Sequence, residues 1–482
     1  MTHPRVAILG AGFGGLCMGI RLRRAGIGSF TIFEKAGGVG GTWRDNTYPG
    51  AGCDIPSHLY SFSFEKYSSW TRRYPRQPEI LAYLERCADK YGLRPHLRLN
   101  TEITAMRYAG GVWRLTTASG EEHVADVVVS GVGQLNRPRL PDIPGVESFR
   151  GPWFHSARWD HGADLTCRRV AVIGTGSSAA QFIPEIAGVA ERVLVFQRTP
   201  NWVIPKPDAA FGWPLRLAFH YLPPLQRAYR SYIYRRSENV LFPVLVNGWS
   251  ARLVRRMALK HLEEQVPDPE LRRRLTPGYP PGCKRIVIDS TIYPALSRPD
   301  VDLITEKIGR VTPAGVETVD GRLHEADVIV YATGFDTTGF LMPIEVTGRD
   351  GRDLHAQWSR GAEAYLGMAA PGFPNLFFLY GPNTNLGHNS IVFMLECQTR
   401  YVLGCVRELA ARGARSMEVR PEAMAAWSGA LSAALARTVW ESGCQSWYKT
   451  RSGRVTNNWP ARTTLYRRLT AAPNPRAYSF RT

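Results

Sequence analysis

The chain has 482 residues, of which 44% are hydrophobic and 21% are charged, a composition typical of a folded globular protein and not of a disordered one. It is too long for one ordinary hydrophobic core, so we predict two or three domains. A net charge of +19 would attract anionic nucleotides or an anionic membrane. No nucleic-acid-binding module is recognisable, so nucleic acid is excluded as a partner.

Neither a membrane span nor a secretion signal is predicted. No run of 18 or more apolar residues occurs, and the first strand begins by about Arg5, which leaves no room for the apolar region of a signal peptide. The eight cysteines are scattered without a C-x-x-C pair, which predicts reduced thiols and argues against a disulfide framework, a zinc knuckle or a redox dithiol. We therefore expect a cytoplasmic protein without a metal site; the sequence leaves its oligomeric state open.

The first predicted unit opens with a strand and a glycine turn at Val6–Gly15, VAILGAGFGG. Its apolar run leads into Gly-x-Gly-x-x-Gly at Gly10, Gly12 and Gly15, which is the fingerprint of a dinucleotide-binding unit. These glycines allow a tight turn, a close approach of backbone to pyrophosphate and close packing of helix on strand. The N-terminus of the helix then offers free N–H groups to the phosphates.

The next elements of this unit indicate which nucleotide it binds. A helix over Leu16–Ala25 and a strand over Ser29–Phe33 are predicted, and the strand ends at Glu34. Glu34 lies 24 residues after Gly10, where an acid accepts hydrogen bonds from an adenosine ribose. This pattern predicts a nucleotide without a 2′-phosphate, and FAD fits it.

A second strand and glycine turn lies at Val170–Ala179, VAVIGTGSSA. A strand over Val193–Phe196 follows, and Arg198 lies 24 residues after Gly174, at the offset that Glu34 has in the first unit. An arginine there accommodates a 2′-phosphate, so NADPH is predicted instead of NADH. The candidate residues of this site are Gly174, Thr175, Gly176, Ser177, Ser178, Gln181, Arg198 and Thr199.

The stretch between the two fingerprints, FRGPWFHSARWD, fits F-x-G-x-x-x-H-x-x-x-W-D at Phe149, Gly151, His155, Trp159 and Asp160. With a glycine fingerprint on either side, this chain resembles the flavin-dependent Baeyer–Villiger monooxygenases. Related flavin monooxygenases that oxidise nitrogen and sulfur usually carry Phe or Tyr at the position of Trp159. The resemblance implies that this motif links the two domains and couples cofactor binding to domain movement.

The segment Gly40–Asp54, GGTWRDNTYPGAGCD, resembles a second signature of the same family. The resemblance implies that it wraps the flavin, with Asp54 near the reacting ring as a catalytic residue. Some relatives carry Arg where this chain has Gly52, so the charge balance around Asp54 differs from theirs. The implied FAD ligands in this segment are Gly41, Thr42, Trp43 and Asp54.

The resemblance also implies roles for residues in the second half of the chain. Lys284 would bind the 2′-phosphate, and Arg285 would reach over the flavin as the catalytic cation. Trp447, in CQSWY, would contact bound nicotinamide nucleotide. The A-T-G-F sequence marks a hinge back to the first domain, at Ala332, Thr333 and Gly334.

Together these features predict an α/β fold with two dinucleotide-binding, Rossmann-like domains, for FAD and for NADPH. The predicted FAD-binding domain comprises residues 1–140 and 333–482. The predicted NADPH-binding domain comprises residues 141–211 and 276–332, and a helical insertion occupies residues 212–275. Between Arg216 and Arg274 this insertion has 12 basic and 5 acidic residues, interleaved with aromatics. A weak association with a membrane surface is one reading of it, and a solvated basic face over an ordinary helical core is the one we favour.

The implied activity is the insertion of one oxygen atom of O2 next to a ketone carbonyl, by way of a C4a-peroxyflavin, to give an ester or lactone. FAD and NADPH are the implied cofactors, and a small-molecule ketone is the implied substrate. Two alternatives remain at this point: a monooxygenase that oxidises nitrogen or sulfur, and an FAD/NADPH reductase. Trp159, Asp160 and Arg285 count against the first alternative, and the missing C-x-x-C pair counts against the second.

Overall fold

The computed structural model describes residues 3–482. The chain up to residue 130 forms strands and helices in this order: β1 (Val6–Leu9), α1 (Phe13–Arg24), β2 (Phe30–Phe33), α2 (Thr42–Asp45), α3 (Gln77–Lys90), β3 (Leu97–Arg98), β4 (Ile103–Ala109), β5 (Val112–Thr117), β6 (Glu122–Ala125) and β7 (Val127–Ser130).

The middle of the chain contains a second α/β unit, which a run of helices interrupts. Before the helices lie β8 (Trp153–His155), β9 (Arg169–Ile173), α4 (Ser177–Ile186), β10 (Arg192–Phe196) and β11 (Val203–Ile204). The helices are α5 (Trp213–Tyr221), α6 (Pro223–Arg236), a π-helical turn (Ser237–Leu241), α7 (Phe242–Leu245), α8 (Trp249–Gln265) and α9 (Pro269–Leu275). After them lie β12 (Val287–Ile288), α10 (Ile292–Leu296), β13 (Val301–Ile304), β14 (Ile308–Thr312), β15 (Gly315–Thr318), β16 (Leu323–Glu325) and β17 (Val328–Tyr331).

The last part of the chain combines four α-helices and four short strands with long connecting segments. Its elements are β18 (Glu345–Thr347), α11 (Leu354–Gln357), β19 (Leu376–Phe378), α12 (Ile391–Arg412), β20 (Ser416–Val419), α13 (Pro421–Leu435), α14 (Thr463–Leu469) and β21 (Tyr478–Arg481).

Each glycine fingerprint follows the central strand of a parallel five-stranded sheet. The first sheet has the order β19-β7-β1-β2-β3, and the second has the order β13-β10-β9-β17-β8. Strands β1, β7 and β17 are buried at all four positions and are apolar except for Ser130 at the end of β7, because helices or other strands cover both faces of such a sheet. The predicted α/β fold with two Rossmann-like units is confirmed.

The last part of the chain returns to the first sheet. Strand β19 adds to its edge beside β7, and α12 packs against α1. The C-terminal residues therefore complete the unit that the N-terminal residues begin. Two local expectations differ from the structure: α1 begins at Phe13 instead of Leu16, and part of the interdomain stretch is strand β8, which pairs with β17.

Candidate active site

The first fingerprint forms a turn that only glycine can occupy at two positions. Gly10 has a φ of +94°, and a Cβ there would lie 2.8 Å from the carbonyl oxygen of Gly131. A Cβ at Gly15 would collide with the carbonyl oxygen of Gly10. Gly12 caps α1 without a side-chain hydrogen bond, and the first turn of α1 holds no acidic residue. This turn therefore leaves backbone N–H groups free for a phosphate, as FAD requires.

Glu34 ends β2 beside that turn and is buried. Its Oε2 accepts a hydrogen bond from Ala11 N at 2.8 Å, and its Oε1 accepts one from Ala36 N at 3.0 Å. Arg44 lies 3.3 Å from the same carboxylate. The main-chain donors hold the carboxylate at the mouth of the fingerprint turn, where a ribose hydroxyl could donate to it.

The segment after Gly40 lies directly against the fingerprint. Gly40 N donates to Ala11 O at 3.0 Å, and a Cβ at Gly41 would lie 3.2 Å from the Cα of Gly12. The Thr42 hydroxyl is 3.4 Å from Leu135 O, and Trp43 Nε1 donates to the Tyr60 hydroxyl at 3.1 Å. The implied flavin-wrapping residues and the first fingerprint therefore share one surface.

Arg285 and Asp54 form an ion pair, although 231 residues separate them in sequence. Arg285 Nε donates to Asp54 Oδ2 at 3.1 Å, and Arg285 Nη2 donates to the same oxygen. The adjacent carboxylate raises the pKa of Arg285 above its usual value, so the guanidinium keeps its charge across the physiological range. The two implied catalytic residues therefore meet at the boundary between the two units.

One buried tyrosine, Tyr448, and one partly buried tyrosine, Tyr380, lie beside this pair, and sequence reasoning missed both. The charges of Arg285 and Asp54 act on Tyr380 and Tyr448, while burial raises the pKa of Tyr448 to about 12 and that of Tyr380 further. Both phenols are therefore protonated near neutral pH. The Tyr380 hydroxyl donates to Asn385 Oδ1 at 2.6 Å, within a buried amide network. The triplets N-T-N at residues 383–385 and T-N-N at residues 456–458 are the sequence signal that could have located this network.

The second fingerprint repeats the geometry of the first. Gly174 has a φ of +113°, and a Cβ there would meet the carbonyl oxygen of Ala332. Gly176 caps α4 without a side-chain hydrogen bond, and Ser177 and Ser178 begin the helix. The hydroxyl of Thr175 accepts a hydrogen bond from Asn201 Nδ2 at 3.1 Å. The N-terminus of α4 is thus as open to a phosphate as that of α1.

Gln181, a predicted nucleotide-binding residue, forms hydrogen bonds that connect the two units. Its Oε1 accepts hydrogen bonds from the Tyr48 hydroxyl at 3.0 Å and from Gly52 N at 3.2 Å, and its Nε2 donates to Gly52 O at 3.0 Å. Gly52 also pairs with Arg76, and a Cβ at Gly52 would lie 3.5 Å from the Cδ of Arg76. Arg76 therefore lies beside Gly52, the position at which some relatives carry an arginine.

Arg198, Thr199 and Lys284 meet after the end of β10. Lys284 Nζ donates to the Thr199 hydroxyl at 2.6 Å and lies over the Tyr279 ring, 4.9 Å from its centroid. Burial and the nearby Arg198 lower the pKa of Lys284, and no carboxylate in residues 3–482 offsets this repulsion. Two uncompensated cations side by side favour a dianionic ligand, which is the charge of a 2′-phosphate.

The linker motif is partly a structural element of the second sheet. Phe149 packs in the core beside that sheet, and a Cβ at Gly151 would collide with Asp327 O. Trp159 packs against Phe182 of α4 with ring centroids 5.2 Å apart, and Asp160 accepts a hydrogen bond from Gly162 N at 2.9 Å. These residues fix the chain where it leaves the first unit.

His155 and the A-T-G-F segment meet at the crossing between the units. His155 pairs with Tyr331 in the sheet, and its ring lies 5.8 Å from that of Phe335. Burial lowers the pKa of His155 to about 4, so the imidazole is neutral near pH 7. A neutral buried ring agrees with the predicted coupling role, which stays a prediction.

The two crossings of the chain between the units run side by side. The Thr333 hydroxyl donates to Arg139 O at 2.5 Å, and Arg139 N donates to Gly334 O at 2.9 Å. Pro138 and Phe335 form an antiparallel bridge, and Ala332 N donates to Ile173 O. The chain therefore passes between the units along two neighbouring segments, and the hinge role of Ala332, Thr333 and Gly334 stays a prediction.

The prediction that all cysteines are reduced is wrong for one pair. Cys283 and Cys444 form a disulfide, with Cα atoms 6.3 Å apart and a sequence separation of 161. The pairing depends on tertiary contact, so no local spacing could have indicated it. It joins the segment of Lys284 and Arg285 to that of Trp447, whose carbonyl oxygen accepts a hydrogen bond from the Thr337 hydroxyl at 2.7 Å.

We expect this disulfide to appear in a thiol titration. Denatured, unreduced protein should yield six reactive thiols per chain, because six cysteines are free. Reduction should raise the yield to all eight. In unreduced Cys283→Ser protein the yield should rise by one, because Cys444 loses its partner. Eight thiols without reductant would show that the two cysteines are not bonded.

A buried polar cluster joins the helical insertion to the C-terminal part of the chain, and it too was missed. Glu238, in the π-helical turn, accepts hydrogen bonds from Asn389 Nδ2 at 2.7 Å and from the Thr463 hydroxyl at 2.6 Å, and lies 3.2 Å from His388 Nε2. These bonds keep the pKa of Glu238 below its usual value in spite of the desolvation that raises it. The insertion is thereby anchored beside the loop that follows β19.

Two further observations concern metal binding and cavities. No group of three His, Cys, Asp or Glu side chains in residues 3–482 could hold a metal ion. A cavity of about 710 Å³ lies between α13 and α14, but none of the candidate site residues lines it. Trp459 packs in the core against Tyr466, at the edge of that cavity.

Comparisons with known proteins agree with this geometry. The model of the flavin-binding monooxygenase-like family matches residues 3–223. A Baeyer–Villiger monooxygenase of Pseudomonas aeruginosa is 46% identical over 484 residues, which cover 100% of this chain and 92% of that protein.

Two solved structures extend the likeness over the whole chain. A crystal structure of OTEMO in complex with FAD and NADP has a TM-score of 0.89 at 29% identity and covers 99% of each chain. A closed crystal structure of cyclohexanone monooxygenase has a TM-score of 0.88 at 30% identity and covers 100% of each chain. The chain has two glycine fingerprints with free helix N-termini and an arginine paired with Asp54, and its likeness to these proteins extends over nearly its whole length. This chain therefore belongs to the Baeyer–Villiger monooxygenases, within the flavin-binding monooxygenase-like family.

Proposed function

We propose that this chain is an FAD- and NADPH-dependent monooxygenase that inserts one oxygen atom of O2 next to a ketone carbonyl and releases an ester or lactone. The observation that carries the proposal is the Arg285–Asp54 pair, which lies where the two nucleotide units meet. Cyclohexanone monooxygenase, a structural neighbour, is named for a ketone substrate.

The chain's residues fit both cofactors. The turn at Gly10, Gly12 and Gly15 would hold the FAD pyrophosphate, with Glu34 on the ribose. The turn at Gly174 and Gly176 would hold the NADPH pyrophosphate, and the cations Arg198 and Lys284 would bind the 2′-phosphate. FAD, when bound, accepts hydride from NADPH and activates O2, and this redox chemistry belongs to the cofactor.

The protein's part in the reaction is electrostatic. Negative charge develops on the carbonyl oxygen of a ketone that a nucleophile attacks, and a preorganised cation stabilises it. Arg285 is such a cation, because Asp54 fixes one edge of its planar guanidinium and leaves the remaining donors for substrate. The reaction needs no side-chain nucleophile, and the nearby Tyr380 and Tyr448 remain protonated.

We also propose the division into an FAD-binding domain of residues 1–140 and 333–482 and an NADPH-binding domain of residues 141–211 and 276–332. The two parallel sheets and the paired crossings at residues 138 and 335 support it. A cytoplasmic location stays a proposal, supported by six free cysteines.

A substrate screen tests the proposed function. The purified protein with FAD and NADPH is incubated with cyclic, linear, aryl and polycyclic ketones, and with an amine and a sulfide. NADPH oxidation and product mass are recorded for each compound. We expect at least one ketone to gain one oxygen atom as an ester or lactone. Oxygenation of the amine and sulfide alone would contradict the proposal.

A further inference from the structure

The first helix of the insertion is apolar and almost fully exposed. Only Phe219 of α5 is buried, and it packs against His58 with ring centroids 4.5 Å apart. Trp213 is 74% exposed and Tyr221 is 71% exposed. A helix that buries one residue normally carries polar side chains elsewhere, whereas the exposed large apolar residues here are Trp213, Leu215, Leu217, Tyr221 and the adjoining Leu222.

The second helix continues this surface. The inner side of α6 contacts the first unit: Gln226 Nε2 donates to Tyr67 O, and Arg230 donates to Ser61 O. Its outer side presents Leu225 and Tyr232, seven residues apart, with Tyr232 63% exposed. Helix α5 packs against α6, and we call these exposed apolar residues of the two helices together the hairpin face.

The charge around the hairpin face has one sign. No Asp or Glu occurs between residues 213 and 236. Four exposed arginines lie in this interval: Arg216, Arg227, Arg235 and Arg236. The favoured reading of the insertion, a solvated basic face over an ordinary core, does not account for the large apolar side chains that are exposed among the charges.

Helix α8 repeats the pattern. Val254, Ala258 and Leu262 are buried on one side. On an adjacent side, about 100° around the helix, Trp249, which is 66% exposed, is followed by exposed Leu253 and Met257 at intervals of four residues. Arg252 and Arg256 flank this exposed stripe, whereas Lys260 is paired with Glu264 at 3.5 Å. Exposed apolar side chains thus lie beside arginines a second time in this insertion.

We propose that the hairpin face docks on the surface of an anionic lipid bilayer. Exposed Trp, Tyr and Leu side chains would enter the boundary between headgroups and acyl chains, and the arginines would contact anionic headgroups. Within residues 3–482 no helix is long and apolar enough to cross a membrane, so the chain would lie on the bilayer.

The proposal does not depend on the oxygenation reaction, and vesicle sedimentation tests it. Wild-type holoenzyme is mixed with vesicles of phosphatidylcholine, alone or with phosphatidylglycerol. An apolar variant carries Trp213→Ser, Leu217→Ser, Tyr221→Ser and Leu222→Ser. Its matched control carries Val189→Ser, Val319→Ser and Leu323→Ser, which replace exposed apolar residues outside the insertion. A charge variant replaces the four arginines of the hairpin face with Gln.

We expect wild type to bind the mixed vesicles about tenfold more strongly than phosphatidylcholine vesicles, with binding that weakens as salt rises. The apolar and charge variants should each lose about tenfold, and the control should stay within about twofold of wild type. Retained NADPH oxidation in every variant would show that each is folded.

Three results would overturn the proposal. One is absence of vesicle binding by wild type. Another is an apolar variant that binds as well as wild type, because attraction would then come from net charge alone. The third is a wild-type dimer, detected by light scattering, that becomes a monomer in the apolar variant without any vesicle binding. The hairpin face would then be an interface between copies of this chain.

Discussion

Replacing Arg285 with Ala should lower ester formation by about 10²–10³-fold while NADPH consumption continues. The guanidinium would no longer stabilise the oxyanion, whereas hydride transfer depends on the nucleotide sites. The reducing equivalents should then appear as hydrogen peroxide. Arg285→Lys should recover only part of the yield, because an ammonium lacks the planar fork that Asp54 holds.

The chain offers a matched control for this variant. Arg72 pairs with Asp208 at 2.9 Å, and its side chain is 36% exposed, against 30% for Arg285. Arg72→Ala should therefore remove a similar ion pair without changing the ester formed per NADPH. Ester yield, peroxide and NADPH consumption are measured for each variant. Wild-type coupling in Arg285→Ala would show that another cation carries the role.

Asp54 provides a second test of the same pair. If Asp54 acts by orienting Arg285, Asp54→Ala and the double variant should be about as slow as Arg285→Ala, and the effects should not add. Additive losses would indicate that Asp54 has a separate role at the flavin, which its implied place near the ring also allows.

Removing Arg198 and Lys284 together should change the nucleotide preference. Each cation would donate a charge-assisted hydrogen bond to the 2′-phosphate, so kcat/KM for NADPH should fall by about 10²-fold or more. The value for NADH, which lacks that phosphate, should change little. Steady-state kinetics with both nucleotides measure the two values.

A control on the same strand separates this effect from damage to the fold. Arg192 begins β10, at the end of the strand opposite Arg198, and is paired with Asp302. Arg192→Ala should leave the ratio of NADPH to NADH unchanged. Equal losses for both nucleotides in the Arg198 and Lys284 variant would sink the assignment of these cations to the 2′-phosphate.

Much of the fold could be predicted because it depends on local rules. A fingerprint needs glycine where φ is positive or where a Cβ collides, as at Gly10 and Gly174, so its letters report backbone geometry directly. Glu34 and Arg198 lie at the same offset after the first glycine of their fingerprints. Their opposite charges therefore indicate a ribose hydroxyl in the first unit and a 2′-phosphate in the second. Boundaries were less certain, since α1 already begins within the glycine run.

The rest of the site depends on contacts that no local pattern encodes. The partner of Arg285 is 231 residues away, and that of Cys283 is 161 residues away. Gln181 was assigned to the nucleotide because of its place after a fingerprint, yet it bonds to Gly52 and Tyr48 of the other unit. The exposure of Trp213 could not be predicted for a related reason: the sequence of an apolar helix does not show which of its sides faces solvent.

The most direct test of the proposed function follows the oxygen atom. A ketone that the screen finds to be oxidised is incubated with the enzyme, FAD, NADPH and ¹⁸O2 in ordinary water, and the product mass and NADPH consumed are measured. We predict an ester or lactone that carries one ¹⁸O atom, formed once per NADPH, with the second oxygen atom released as water. An unlabelled product, or NADPH oxidation that yields only peroxide with every ketone tested, would contradict the function proposed for this chain.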